Sequence, residues 1–366
     1  MLLGIDEYPF HQITQPFAAV GTSDAAWNDG HYVCFADAAG SVCVASSVRL
    51  YPNNDVLDGF VCLRHDGRQY NVRLSRRLRP DLEHLGVGPL RLELVQPLKT
   101  VRLVLEAGDI ARDLGVELDV TCASTVLPYL DPVEVNRVDG RLVSERATYE
   151  VTGRCAGWVR VAGTTVELDP QRDCFFRNHS WGVHPGRGGP RRFAAPRPGG
   201  SRRAPGVRHW ALLSMPDHGA FFFADPSGRA ASGKGAVMYA DRAVPLRSAE
   251  PHVEFYDGGR RLRGGWFRLT GGDGTVRRYQ MADLGWVYCQ GGGYFGGFDD
   301  GLGQGVYRGD FHSEGEVWDV SDPTLVRDAA GREFEFEHAW AENFVRLTCD
   351  GQQGLAHYEC VVIEAP

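Results

Sequence analysis

Along most of this chain, apolar residues recur at every second position, and that period admits few folds. In "HYVCFADAAGSVCVASSVRLY" (31–51), Tyr32, Cys34 and Ala36 alternate with His31, Val33 and Phe35. Successive side chains of an extended strand point to opposite faces, so this pattern describes strand, glycine turn, strand. "GFVCLRHDGRQYNVRL" repeats the form around Asp66–Gly67, a strong hairpin signal. "LRLELVQPLKTVRLVLEAG" and "ATYEVTGRCAGWVRVAGTTVELD" continue it, and so do "RHWALLSMPDHGAFFFADPSG" and "GGWFRLTGGDGTVRRYQMADLGWVY" in the second half. Helical patterns are scarce; "PDLEHLG" (80–86) reads as one short helical turn. The 46 glycines and 20 prolines punctuate many short strands. The reading is an all-β protein. A length of 366 residues exceeds what one core usually serves, so two β-barrel or sandwich domains are expected, over 1–170 and 171–366.

Charge and cysteine usage narrow the function. Lys plus Arg against Asp plus Glu, 39 against 47, gives a net charge of −8, which argues against nucleic acid as a partner. No stretch has the length and apolarity of a membrane span, and Asp6, Glu7 and His11 interrupt the N-terminal apolar residues where a signal peptide would be continuous. The nine cysteines are scattered and never spaced C-x-x-C, so they read as small apolar filler rather than disulfides or a zinc site. A cytoplasmic location is expected. Residues 185–206, "PGRGGPRRFAAPRPGGSRRAPG", crowd proline, glycine and arginine without an apolar pattern and predict a mobile, solvated loop.

Candidate chemistry concentrates after mid-chain. "DCFFRNHSWGVH" (173–184) places His179 and Trp181 two apart, on one face of a strand. Aromatic residues crowd the second-half strands, which suits packing of the core and lining of an apolar barrel cavity. Asp225 ends the aromatic run "AFFFAD"; it fits a buried acid and equally the first position of an Asp-Pro-Ser-Gly turn. "GGGYFGGFDDGLGQGVYRGDFHSEGEVWDV" (291–320) reads as a segment crossing a barrel mouth, with Tyr294 and His312 as ligand contacts. Asp310, His312 and Glu314 share a strand face and would suit a divalent metal, but no second histidine pair accompanies them, so no metal is expected. No phosphate loop and no G-x-S-x-G elbow is present.

"RNHSWG" (177–182), together with "WNDGHYV" (27–33), resembles the AttH-like proteins and the carotenoid 1,2-hydratase (hydroxyneurosporene synthase) superfamily. The resemblance implies two lipocalin-like β-barrels in tandem. It implies that His179 and Trp181 belong to a site that protonates an alkene, with Asp225 as a second acid. It places Phe223 where the family has tyrosine and Asn178 where an acidic residue is common. Both departures remove a proton source. The superfamily also includes pericyclases that enclose an apolar substrate and need little acid chemistry. The expectation is a cofactor-independent hydratase, isomerase or cyclase acting on a hydrophobic small molecule (isoprenoid, polyketide or steroid-like). His179, Trp181 and Asp225 would be catalytic, with Asn178, Phe223, Tyr294 and His312 binding substrate. The alternative is a non-catalytic carrier of the same kind of ligand. The oligomeric state is left open by the sequence.

Overall fold

The computed structural model describes residues 1–9, 11, 13–184, 186–189, 205–225, 234–258, 261–334 and 341–363. The expected loop at 185–206 therefore lies largely outside the described residues, as does the turn beyond Asp225. The chain is all-β, with two antiparallel sheets, one of fifteen strands and one closed as a barrel. The alternating stretches become strands because every second side chain can then be buried on a shared face.

The first sheet runs, in spatial order, through Phe311–Asp319, Arg68–Arg77, Val56–His65, Cys43–Tyr51, Trp27–Ala36, Cys174–Val183, Arg141–Val161, Val116–Ser124, Thr100–Leu105, Leu90–Gln96 and Gly86–Val87. Its inner face converges on one apolar core, to which Val33, Val48, Val61, Val72, Leu103, Leu118, Val151 and Phe175 all contribute. Strands from both ends meet there, so the sheet curls into a barrel. Gly59 shows how the curl closes. A Cβ at this position would lie 2.7 Å from Val87 and 2.8 Å from Leu90, so only glycine lets the last strands pack against Val56–His65. The sheets cross the expected division at residue 170: Cys174–Val183 and Phe311–Asp319 both pair within the first sheet.

The second sheet is an eight-stranded closed barrel of Gly206–Ser214, Gly219–Ala224, Lys234–Met238, Ala243–Phe255, Leu262–Gly271, Val276–Tyr288, Ala341–Cys349 and Gln352–Ile363. Rings fill it. Phe267 stacks on Tyr279 at 4.7 Å between centroids, and Phe222 meets Phe267 at 5.0 Å. Phenolic hydroxyls inside find histidine partners, Tyr279 with His218 Nε2 at 2.7 Å and Tyr358 with His209 Nδ1 at 2.9 Å. Outward-facing residues of the two sheets form an apolar seam that includes Tyr32, Cys34, Phe60, Phe176, Leu212, Phe221 and Phe344. All nine cysteines are buried and unpaired. Among the described residues no helix is long and apolar enough to cross a membrane.

The helical turn expected over 80–86 does not form. The Arg76 guanidinium takes the carbonyls of Arg77, Leu78, Asp81, His84 and Gly86 as its acceptors, so those carbonyls bond a side chain instead of a helical ladder. The single short α-helix is elsewhere among the described residues, at Asp109–Leu114, and closes on Gly115 at φ 66°.

Burial in the second barrel, with the neighbouring Arg208 charge adding to it, pushes His209 from an ordinary 6.5 down to about 4. The unfolded chain takes up this proton near pH 6.5, whereas the folded chain resists until about pH 4. His209 therefore destabilises the fold progressively as pH falls through that window. Urea unfolding should show the native chain losing about 3 kcal/mol more than His209→Gln between pH 7 and pH 4.

Candidate active site

Two strands build the site by register. Trp27–Ala36 pairs with Cys174–Val183 so that His31 stands opposite His179 and Asp29 opposite Trp181. On the far side of His179, Arg141–Val161 brings up Tyr149. Val33, Phe35 and Phe175 point into the first core, so Asp29, His31, Arg177, His179 and Trp181, at the same parity, share that inner face. The group sits toward one end of the curled sheet. The Asp29 and His179 side chains remain 40% and 24% exposed, while His31 and Arg177 are buried.

Hydrogen bonding assigns the protons. His179 Nε2 lies 2.6 Å from Asp29 Oδ1. A carboxylate only accepts, so Nε2 carries hydrogen and Nδ1 is left for chemistry. The His179 ring stacks on His31 at 4.1 Å and 25°, with Tyr149 edge-on at 5.3 Å and Trp181 also at 5.3 Å. Below, Arg177 Nη1 lies 3.3 Å from His31 Nδ1 and donates to the Tyr149 hydroxyl at 3.1 Å. Arginine only donates, so His31 Nδ1 accepts and its proton is on Nε2. Burial first, then the charges of His179, Arg177 and Arg49, hold His31 well below its ordinary 6.5. The stack thus pairs a neutral imidazole, held so by its surroundings, with one bonded to a carboxylate.

Of the residues anticipated from the sequence, His179 and Trp181 meet here. Asn178 lies on the opposite face of the same strand, in register with Tyr32 and Glu150. Phe223 belongs to the second barrel and faces the seam, with the Lys234 ammonium 5.0 Å from its ring. Asp225 follows it at the end of Gly219–Ala224, in the second barrel, and is half-buried. Tyr294 lies in the short 3-10 turn Tyr294–Gly296, under the Arg187 guanidinium at 4.2 Å and edge-on to Phe60. His312 Nε2 bonds Glu314 at 2.8 Å. Glu314 also accepts from the buried Arg73 at 2.6 Å, so this carboxylate is committed to an ion pair. Among the described residues no cluster of three metal-ligating side chains occurs. The glycine-rich segment after Tyr288 covers the outer face of the first sheet rather than a barrel mouth; Gly291, Gly292 and Gly293 are buried there.

Asp29, His31, Tyr149 and Arg177 were missed by sequence reasoning. Asp29 and His31 do repeat the spacing of two that singled out His179 and Trp181, which is the signal that could have found them. The seam holds further buried groups that alternation alone does not flag. His357 Nε2 is 2.8 Å from Glu342 Oε2 but misaligned for a hydrogen bond, and Trp210, Phe344, Tyr32 and Phe176 ring the imidazole. Glu150 is fully buried, and burial pushes its carboxyl well above the usual range.

Fold and site together define a two-barrel, lipocalin-like β-protein with an acid–base cluster inside its first barrel. The chain belongs to a family of unknown function, DUF8625, whose model matches residues 2–364. Among solved structures it is similar to a protein designated AttH from Nitrosomonas europaea, at 12% identity over 97% of this chain and 98% of that one, with a TM-score of 0.48. It is similar also to kievitone hydratase from Nectria haematococca, at 12% identity over 94% and 93%, with a TM-score of 0.40. A third likeness is to CghA, at 8% identity over 93% and 89%, with a TM-score of 0.46. A comparison with curated protein sequences gives no match.

The hydrogen-bond assignment has a direct readout. In 15N imidazole spectra His31 should still be a neutral Nε2–H tautomer at a pH where an unperturbed histidine is mostly protonated. A His31 resonance that titrates near 6.5 would refute the assignment.

Proposed function

We propose that the protein is a cofactor-independent acid–base enzyme acting on a hydrophobic small molecule, by hydration, isomerisation or cyclisation. The observation that carries this reading is His179, bonded through Nε2 to Asp29 and stacked on a neutral His31, within a largely apolar barrel. Asp29 fixes the ring so that Nδ1 is the nitrogen that exchanges a proton with substrate. In a hydration, the protonated imidazole gives its Nδ1 proton to one alkene carbon and the other carbon becomes cationic. Water adds there, and the proton lost from that water returns to Nδ1. Trp181 and Tyr149 present rings beside His179, and an aromatic face stabilises a nearby cation by roughly 0.5–2 kcal/mol. That contribution is modest, so proton transfer from a positioned group carries the step.

Substrate binding by Asn178, Phe223, Tyr294 and His312, and an auxiliary acid at Asp225, are proposals of lesser reach, because these side chains lie on other faces of the fold. A carrier would need an apolar interior throughout. The histidines and arginine on the inner face of the first sheet favour catalysis instead.

Purified protein incubated with mixed isoprenoid and polyketide alkenes in 18O-labelled water should yield either a labelled product of added water or an isomer of unchanged mass. His179→Gln should lower turnover by about 10²–10⁴-fold while leaving the melting temperature within a few degrees. Turnover equal to that of the native chain would remove His179 from the mechanism.

A further inference from the structure

At the end of the first sheet away from His179, three hairpin turns border an open cleft of about 500 Å3, room enough for a small organic molecule. Trp27–Ala36 carries Asp29 and His31 near its start, and its far end, paired with Cys174, runs into the turn that brings Gly40 and Ser41 to the cleft. The Asp66–Gly67 turn forms a second side, and Thr164, at the head of the strand Thr164–Leu168, forms a third.

Arg64 is the group in this cleft that lacks a counterpart. Its guanidinium rests on the Trp286 ring, 4.8 Å from the centroid, and makes no hydrogen bond and no ion pair with any described residue. Gly285 makes room for it, since a Cβ there would lie 2.9 Å from Nη1. Nε is buried without a partner, so what the guanidinium offers the cleft is its Nη1–Nη2 edge. The Asp283 carboxylate feels the Arg64 charge but accepts from the Tyr256 hydroxyl instead, at 2.9 Å. Stacking on a ring fixes the plane of a guanidinium and leaves its edge free to hold both oxygens of a carboxylate.

The rest of the lining offers hydroxyls and acceptors. His65 Nδ1 lies 2.9 Å from the Ser41 carbonyl, which only accepts, so Nδ1 carries hydrogen and Nε2 of the neutral ring is an acceptor. The Ser41 and Thr164 hydroxyls bond no other described residue. Asp66 is exposed and brings one negative charge.

We propose that this cleft binds a small hydroxylated monocarboxylate, a sugar acid. Its carboxylate takes the free edge of Arg64, and its hydroxyls bond Ser41, Thr164, His65 Nε2 and Asp66. Other chemistries satisfy one side only. A neutral polyol leaves Arg64 without an anion, and an aliphatic carboxylate leaves the hydroxyls and acceptors unmet. A phosphate dianion sets two charges against one guanidinium with Asp66 close by. The site is separate from His179 and does not depend on the reaction proposed there.

Three six-carbon probes test it in the full chain at low salt and about pH 7.5, where a carboxylate is ionised: D-gluconate, D-sorbitol and hexanoate, with inorganic phosphate as a fourth. Binding is read from the Ser41 and Gly67 amide shifts and the Trp286 indole N–H. Gluconate should bind saturably and about tenfold tighter than sorbitol or hexanoate. Arg64→Gln should weaken gluconate to the level of sorbitol. Arg64→Lys, which keeps the charge and loses the paired donors, should fall between the two. Signals that do not respond to gluconate would overturn the proposal. So would sorbitol or hexanoate binding as tightly as gluconate, or phosphate binding more tightly. Those rankings are made in the native chain and decide the question even where Arg64→Gln does not fold.

Discussion

The register between Trp27–Ala36 and Cys174–Val183 is the constraint on which the structure rests. These strands lie far apart in sequence, yet their pairing sets His31 against His179 and Gly30 against Ser180. The period of a strand is two, so slipping either strand by one residue would turn its whole inner set outward. Val33, Phe35 and Phe175 would leave the core in the same movement that took the histidines from the inner face. Packing of the apolar residues therefore enforces the geometry of the polar ones. Arg49 reinforces it from the other face, bonding Asn28 and Gly30 of one strand and Ser180 of its partner. A Cβ on Gly30 would lie 2.7 Å from the Arg49 Cα, so the residue between Asp29 and His31 must be glycine for that clamp to close.

Legibility followed the physics of each signal. Strand content was plain because alternation is local, and His179 and Trp181 stood out because they share one short motif. The partners of His179 were not visible, because Asp29 and His31 reach it only through pairing over more than a hundred residues, and Tyr149 through a strand pairing thirty residues away. Alternation says which residues share a face and not which strand comes alongside. The missed helix at Asp109–Leu114 is too short to display a helical period. The turn at 80–86 went the other way because a single side chain, Arg76, supplied the donors that a helix would have taken from its own backbone.

The aromatic wealth of the second half has a similar explanation. From sequence, rings in alternating strands fit a core and a ligand cavity equally well. The closed barrel resolves much of this by filling itself: Phe222, Phe267, Tyr279 and Tyr358 contact one another, and their hydroxyls are met by His209 and His218. The second barrel thereby becomes a rigid body against which the first sheet packs through the seam. Buried charges are more numerous on the first sheet, where Arg49, Asp58 and Arg73 lie on one face and Arg177 on the other, than in the second barrel, which buries Arg261, Glu342 and Glu359.

That asymmetry bears on function. Burying an ionisable group costs free energy unless it is paired, and an apolar replacement of similar volume is often as stable. A protein that only sheltered a hydrophobic ligand would gain nothing from Arg177 beneath His31, two of whose guanidinium nitrogens lack a partner, or from a histidine pair in a largely apolar barrel. Fold stability does not explain that cluster. The proposed proton transfer would, because it requires ionisable groups held dry and in fixed orientation; here burial first keeps one imidazole neutral, and a bond to a carboxylate orients the other.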